Sequence, residues 1–188
     1  MKRIWLIVLV ILLLISPVVA ERGGRGKHMG WLKTPDFKNP GFEEGDLSHW
    51  TTTGTATREW FQPLNKASWA NSGDYSAECI VSAADVDGGD RFISQDVNFT
   101  GATGIKFSVK VHYYMNTWGS TEYIRVYVAG DKLYEEEVTD HEHSYRDIYV
   151  PATYRGIQTA SIGVMIDGKP TSGNVVSFDD IHLVGPGF

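Results

Sequence analysis

The sequence predicts an all-β fold, an antiparallel β-sandwich, on three observations. Apolar and polar residues alternate in short runs from Asn39 to Val184, and no stretch holds a helical period. The run Asn39 to Trp50, NPGFEEGDLSHW, is a turn-rich entry into such a fold. The run Val175 to Val184, VVSFDDIHLV, reads as its closing strand.

The chain begins with a segment outside that fold. Lys2 and Arg3 precede a continuous apolar run, Ile4 to Ile15, which Pro17 breaks before the small residues Val18, Val19 and Ala20. This is the pattern of a secretory signal peptide over residues 1–20, cut near Glu21, and it places the protein outside the cell or on its surface. Read to Ala20, the same run approaches the length of an uncleaved membrane anchor. Without residues 1–20 the chain has 168 residues, one sandwich domain, with 15 basic against 23 acidic side chains and a net charge of −8. An acidic surface repels phosphate backbones, so nucleic acid is excluded as a partner. Cys79 is the only cysteine, so no disulfide within the chain staples the domain, and AECIV suits a packed thiol better than a nucleophile.

Glu21 to Lys38 carries glycines and a basic cluster without alternation and reads as a flexible leader, leaving 39–188 as the domain. Pro40-Gly41 and Gly45-Asp46 make two turns, with Phe42 and Trp50 as core anchors. Thr51 to Trp60 reads as a strand, Pro63-Leu64-Asn65 as a loop, Asn71 to Asp74 as a turn and Tyr75 to Val81 as a strand. Asp85 to Asp90, DVDGGD, is an acidic turn whose spacing does not match a helix-flanked calcium loop. Arg91 to Phe99 follows as a strand, ending in the glycosylation sequon Asn98-Phe99-Thr100.

Ile105 to Tyr113 alternates most cleanly, with Ile105, Phe107, Val109 and Val111 on one face. Ile124, Val126 and Val128 then alternate with Tyr123, Arg125 and Tyr127, and Ala129 to Lys132 turns into a strand over Leu133 to Val138. His141 and His143 form a His-x-His pair without a third ligand nearby, which reads as a polar loop. Tyr145 to Val150 and Ala160 to Ile166 supply two more strands. In the last one, Val176 and Phe178 share a phase that Ile181 and Leu183 break, which predicts a bulge at Asp179-Asp180 that re-aims a carboxylate.

NPGFEEGDLSHW resembles the opening signature of the galactose-binding-like jelly rolls, which include many carbohydrate-binding modules of glycoside hydrolases. SGDYSAECIV, ISQDVNF and VSFDDIHLV follow in the order of that family's middle and final motifs. The resemblance covers residues 39 to 184 and implies a jelly-roll sandwich. It further implies a structural calcium ion where the opening loop meets the final strand. Carried over residue by residue, its ligands are Glu43 and Asp179, with backbone oxygens near Asp74. Oxygen ligands from separate segments suit calcium, although Asn39-Pro40-Gly41 departs from the commoner Asn-Gly-Gly.

No nucleophile elbow, phosphate loop or zinc-protease helix is present, and no two carboxylates stand out as a glycosidase pair, so no catalytic residue is assigned. Sugar binding needs flat aromatic faces and a few orienting polar groups. Tyr123, Arg125 and Tyr127 project from one face of one strand and supply both, and Trp60, Trp69 and Trp118, in or next to loops, extend the platform. The sequence is therefore read as a non-catalytic module whose partner is a poly- or oligosaccharide. The competing reading is a structural surface-layer, adhesin or filament subunit that self-associates or binds an envelope protein. The lack of an attached catalytic domain favours it.

Overall fold

The computed structural model describes residues 36–54, 61–65, 70–81, 89–113, 120–138, 143–168 and 174–185. The signal segment, the leader up to residue 35, the rest of DVDGGD before Gly89, and Asp140 to Glu142 lie outside them.

Among the described residues, ten strands build two antiparallel sheets. They are β1 (Thr51–Gly54), β2 (Phe61–Asn65), β3 (Tyr75–Val81), β4 (Gly89–Asn98), β5 (Gly104–Tyr113), β6 (Ser120–Val128), β7 (Asp131–Glu137), β8 (His143–Tyr149), β9 (Ile157–Gly168) and β10 (Asn174–Val184). Sheet A has the order β1-β4-β9-β6-β7 and sheet B the order β2-β3-β10-β5-β8. The chain crosses repeatedly between the sheets, and the result is an all-β jelly-roll sandwich. Strand alternation sets which residues meet between them. Ile124, Val126, Val128, Ile162 and Val164 of sheet A face Ile105, Phe107, Val109, Val176 and Phe178 of sheet B, all fully buried. Cys79 packs among them as a small apolar side chain.

The bulge in β10 is present. Its pairing with β5 shifts register between Asp179 and His182, and Asp180 takes a left-handed φ of +50°. The extra residue lets Val176, Phe178, Ile181 and Leu183 all reach the core. Ala129 and Gly130, with φ of +53° and +88°, make the two-residue hairpin turn from β6 to β7.

Several boundaries differ from those read in the sequence: β4 begins at Gly89, inside the DVDGGD run, β9 extends over Ile157–Gly168 rather than Ala160 to Ile166, and two further differences bear on packing. Pro63 to Asn65 is not a loop, because it belongs to β2, where Pro63 pairs with Ala77. Strand β2 is the edge of sheet B, where a missing N–H leaves no ladder bond broken. The packed structure also begins before Asn39. Phe37 is buried and stacks on Trp50 with ring centroids 5.4 Å apart, and Lys38 exchanges two backbone hydrogen bonds with the Gln95 side chain. Asp36 reaches β10, accepting from Leu183 N–H at 2.8 Å and meeting His182 Nδ1 at 2.9 Å. Of the Thr51 to Trp60 run, the described part is the strand Thr51–Gly54.

The sandwich is closed along one side by an ionic clasp. Glu136 of edge strand β7 and Arg146 of edge strand β8 point inward and pair in two-pronged fashion, Nε to Oε2 at 2.5 Å and Nη2 to Oε1 at 2.7 Å. The Tyr134 hydroxyl donates to Glu136, and Arg146 also bonds Ser144. The Arg146 bonds hold the Glu136 carboxyl below its ordinary range, while burial and Glu136 push the Tyr134 hydroxyl up to about 12.

Candidate functional site

The opening motif folds onto the bulge. Asn39, Phe42 and His49 have left-handed φ of +48°, +58° and +70°. For a bulky residue such as Phe42 this backbone is strained. Its ring is fully buried against Trp50, and Trp50 Nε1 donates to Asn39 O at 3.1 Å, so packing holds the turn in place.

This turn delivers Glu43 to the Asn71–Tyr75 loop. The Glu43 carboxylate accepts from Asp74 N–H at 3.2 Å and from Tyr75 N–H at 2.9 Å. A Cβ on Gly73 would sit 2.3 Å from that carboxylate, so the loop needs glycine there. Asp179 holds the other end of the loop, accepting from Asn71 N–H at 2.6 Å and Ser72 N–H at 3.1 Å. Asp180 takes the side chains of the same two residues, Asn71 Nδ2 at 2.5 Å and Ser72 Oγ at 2.6 Å. The structure thus brings Glu43 and Asp179 to the two ends of one loop, where Asp74 turns its N–H toward Glu43 rather than an oxygen.

The carboxyl of Asp179 is buried, and that burial, with the charge of Asp180 beside it, pushes its pKa up to about 7 against the opposing N–H bonds of Ser72, Asn71 and Asp180. Asp179 Oδ1 faces the opening turn, 3.4 Å from where a Cβ on Gly41 would lie. Among the described residues, no three Asp, Glu, His or Cys side chains form a metal-holding group by themselves. A cation at this junction would draw on the carboxylate oxygens of Glu43 and Asp179, which accept N–H bonds from Asp74, Tyr75, Asn71 and Ser72.

The aromatic platform lies on the outer face of sheet A. Two rows cross this face in register. One runs Thr53, Phe92, Gly163, Arg125, Glu135, and the next runs Thr51, Ser94, Ser161, Tyr127, Lys132. Small side chains fill the middle of the face and leave an open groove of about 590 Å³ over Thr51, Thr53, Ser94, Thr159 and Ser161, with His49 and Lys38 on its far bank. Tyr127 stands edge-on to Phe92 with centroids 5.3 Å apart, and Arg125 lies between the two tyrosines. Its guanidinium is 5.8 Å from the Tyr123 ring centre, donates to Tyr127 Oη at 3.3 Å and grips Glu135 at 2.5 Å. Partial burial opposes the Arg125 charge, but the bonds to Glu135 and Tyr127 outweigh it.

Tyr123, Arg125 and Tyr127 therefore share one face as expected, with the arginine already engaged. Trp60, Trp69 and Trp118 lie outside the described residues. The sequence reading missed Phe92, which adjoins the platform through β4. Its signal was the phase of RFISQDV, in which Phe92 opposes the core residues Ile93 and Val97. It also missed a second exposed aromatic pair, Tyr145 at 49% and Tyr149 at 72% exposure on β8.

No protein-family model matches the chain, and no curated protein matches it in sequence. Solved structures do match in fold. The carbohydrate-binding module TmCBM61, solved with β-1,4-galactotriose, is 20% identical at a TM-score of 0.52, covering 82% of this chain and 99% of its own. Caldicellulosiruptor saccharolyticus CBM27-1, solved with mannohexaose, is 14% identical at 0.57, covering 77% and 94%. The K3 cleaved adhesin domain of Lys-gingipain from Porphyromonas gingivalis is 12% identical at 0.57, covering 80% and 99%. The chain shares an all-β sandwich fold with these carbohydrate-binding modules and adhesin domains.

Proposed function

We propose that this protein is a non-catalytic carbohydrate-binding module of the cell exterior, which holds a poly- or oligosaccharide on the outer face of sheet A. The observation that carries the proposal is the open groove of hydroxyl-bearing side chains over Thr51, Thr53, Ser94, Thr159 and Ser161, with Tyr127 beside Ser161 in the next strand of the ladder. Sugar C–H faces stack on aromatic rings, and sugar hydroxyls both donate and accept, which suits a groove lined by Ser and Thr together with Lys38 and Asp96. The two module structures solved with oligosaccharides support the reading through their fold.

We further propose that Glu43, Asp179 and nearby backbone oxygens hold a structural calcium ion. A carboxyl raised by burial, with a second carboxylate beside it, is stabilised in its charged form by a cation, and Asp179 is in that position. The ion would lock the opening turn to β10 and take no part in chemistry on the sugar.

A glycan-array screen run beside a sizing measurement tests the function. Selective glycan binding by a monomer is the expected result. Concentration-dependent polymers without any glycan signal would replace it with the structural-subunit reading, for which the adhesin domains share the fold.

A further inference from the structure

We infer that the domain carries a second sugar-binding platform, formed by Tyr145 and Tyr149 of β8 on the opposite side of the sandwich, so that one molecule bridges two glycan chains. This rests on the carbohydrate reading above but uses none of the same residues.

Strand β8 alternates inward and outward. Ile148 is buried in the core and Arg146 turns inward to the Glu136 clasp, which sends Tyr145, Asp147 and Tyr149 to the outer face of sheet B. Tyr145 and Tyr149 are four residues apart with Asp147 between them, so they stand about 13 Å from each other along the strand, a span that a short oligosaccharide covers. At 49% and 72%, Tyr145 and Tyr149 are among the most exposed large apolar side chains described.

Each ring has a distinct setting. Tyr145 is fixed, because Asn71 Nδ2 donates to its hydroxyl at 2.5 Å and the same amide is held by Asp180. Tyr149 walls a groove of about 380 Å³ that runs over Gly104 and Val184. Gly104 is its ladder partner and adds no side chain to fill that space. Between the rings stand Asp147 and its ladder partner Lys106, 3.8 Å apart, with Lys106 Nζ also 4.9 Å from the Tyr145 ring centre.

A strip one strand wide, with a charged donor and acceptor between two open rings, suits a sugar chain. A protein partner would call for a broader apolar patch. Two rings give two stacking positions, and the Lys106–Asp147 pair serves the hydroxyls between them.

The test is amide-resolved NMR of the ¹⁵N-labelled protein titrated with β-1,4-galactotriose, with mannohexaose and with the best ligand from the array. Two separate groups of amides should shift, one around β6 and one around β8. Tyr149→Ala, at an exposed position, should keep the melting temperature, weaken the β8 response at least tenfold and leave the β6 response in place. A shift confined to β6, or a β8 response unaltered by Tyr149→Ala, overturns the second platform and leaves the proposed function standing. A shift confined to β8 upholds this platform and moves the proposed site off sheet A. No shift with any of the sugars overturns both.

Discussion

At the scale of single residues, the platform on β6 separates binding from stability. Tyr123 and Tyr127 point outward while Val126, between them in sequence, is fully buried. Replacing Tyr123 by Ala should weaken glycan binding by about 1–3 kcal/mol in calorimetry, with little change in melting temperature. Tyr127→Ala should weaken binding as much and also cost some stability, since its ring packs on Phe92. Val126→Ala should do the reverse, lowering stability by about 2 kcal/mol with affinity kept. A double Tyr123→Ala, Tyr127→Ala protein that binds as well as the parent would remove this face from consideration.

The second residue-scale prediction concerns Asp179. An ion bound only to the folded state adds about 2.7 kcal/mol when its concentration is a hundredfold above Kd. Chelator should therefore lower the melting temperature of the parent protein. Asp179→Asn should melt lower and show no further response to chelator. A parent melting curve indifferent to chelator, with no calcium found by elemental analysis, rejects the site.

At the scale of elements, the Glu136–Arg146 pair joins the edge strands of the two sheets where no backbone ladder connects them. Arg146 holds the Glu136 carboxyl below its ordinary value, so the pair's contribution is present above the unfolded carboxyl's pKa of about 4.5 and is lost as pH falls through the lower folded value. Glu136→Gln should cost about 1–2 kcal/mol at pH 7, the range for a half-buried two-pronged pair. The gap between parent and variant should close as acid is added. A gap of constant size from pH 7 to pH 3 would show that packing, not charge, accounts for the loss.

At the scale of the whole molecule, the alternating crossovers between sheets leave two outer faces. The polypeptide recovered from its native host should begin near Glu21, which intact-mass measurement reads directly. Material that keeps Met1 to Ala20 and sediments with membranes would instead tether the module to the surface.

Alternation along β5, β6 and β9 was legible without any structure, because a strand with one buried face must repeat every two residues whatever its neighbours are. The bulge was legible for the same reason, since Phe178 and Ile181 cannot both face inward unless a residue is inserted between them. The approach of Glu43 and Asp179 to one loop was carried by the motifs rather than by spacing. What only the tertiary structure decided were properties of pairs far apart in the chain. Pro63 reads as a loop residue until β2 is known to be a sheet edge. Phe37 reads as linker until Trp50 stands beside it. Arg125 reads as a free donor until the β6–β7 register puts Glu135 opposite. Tyr145 and Tyr149 read as ordinary strand residues until Gly104 is found across the ladder and Asn71 at the hydroxyl. Local periodicity fixes which way a side chain points, but what it meets there depends on strand order, and that is settled by the packing of the whole sandwich.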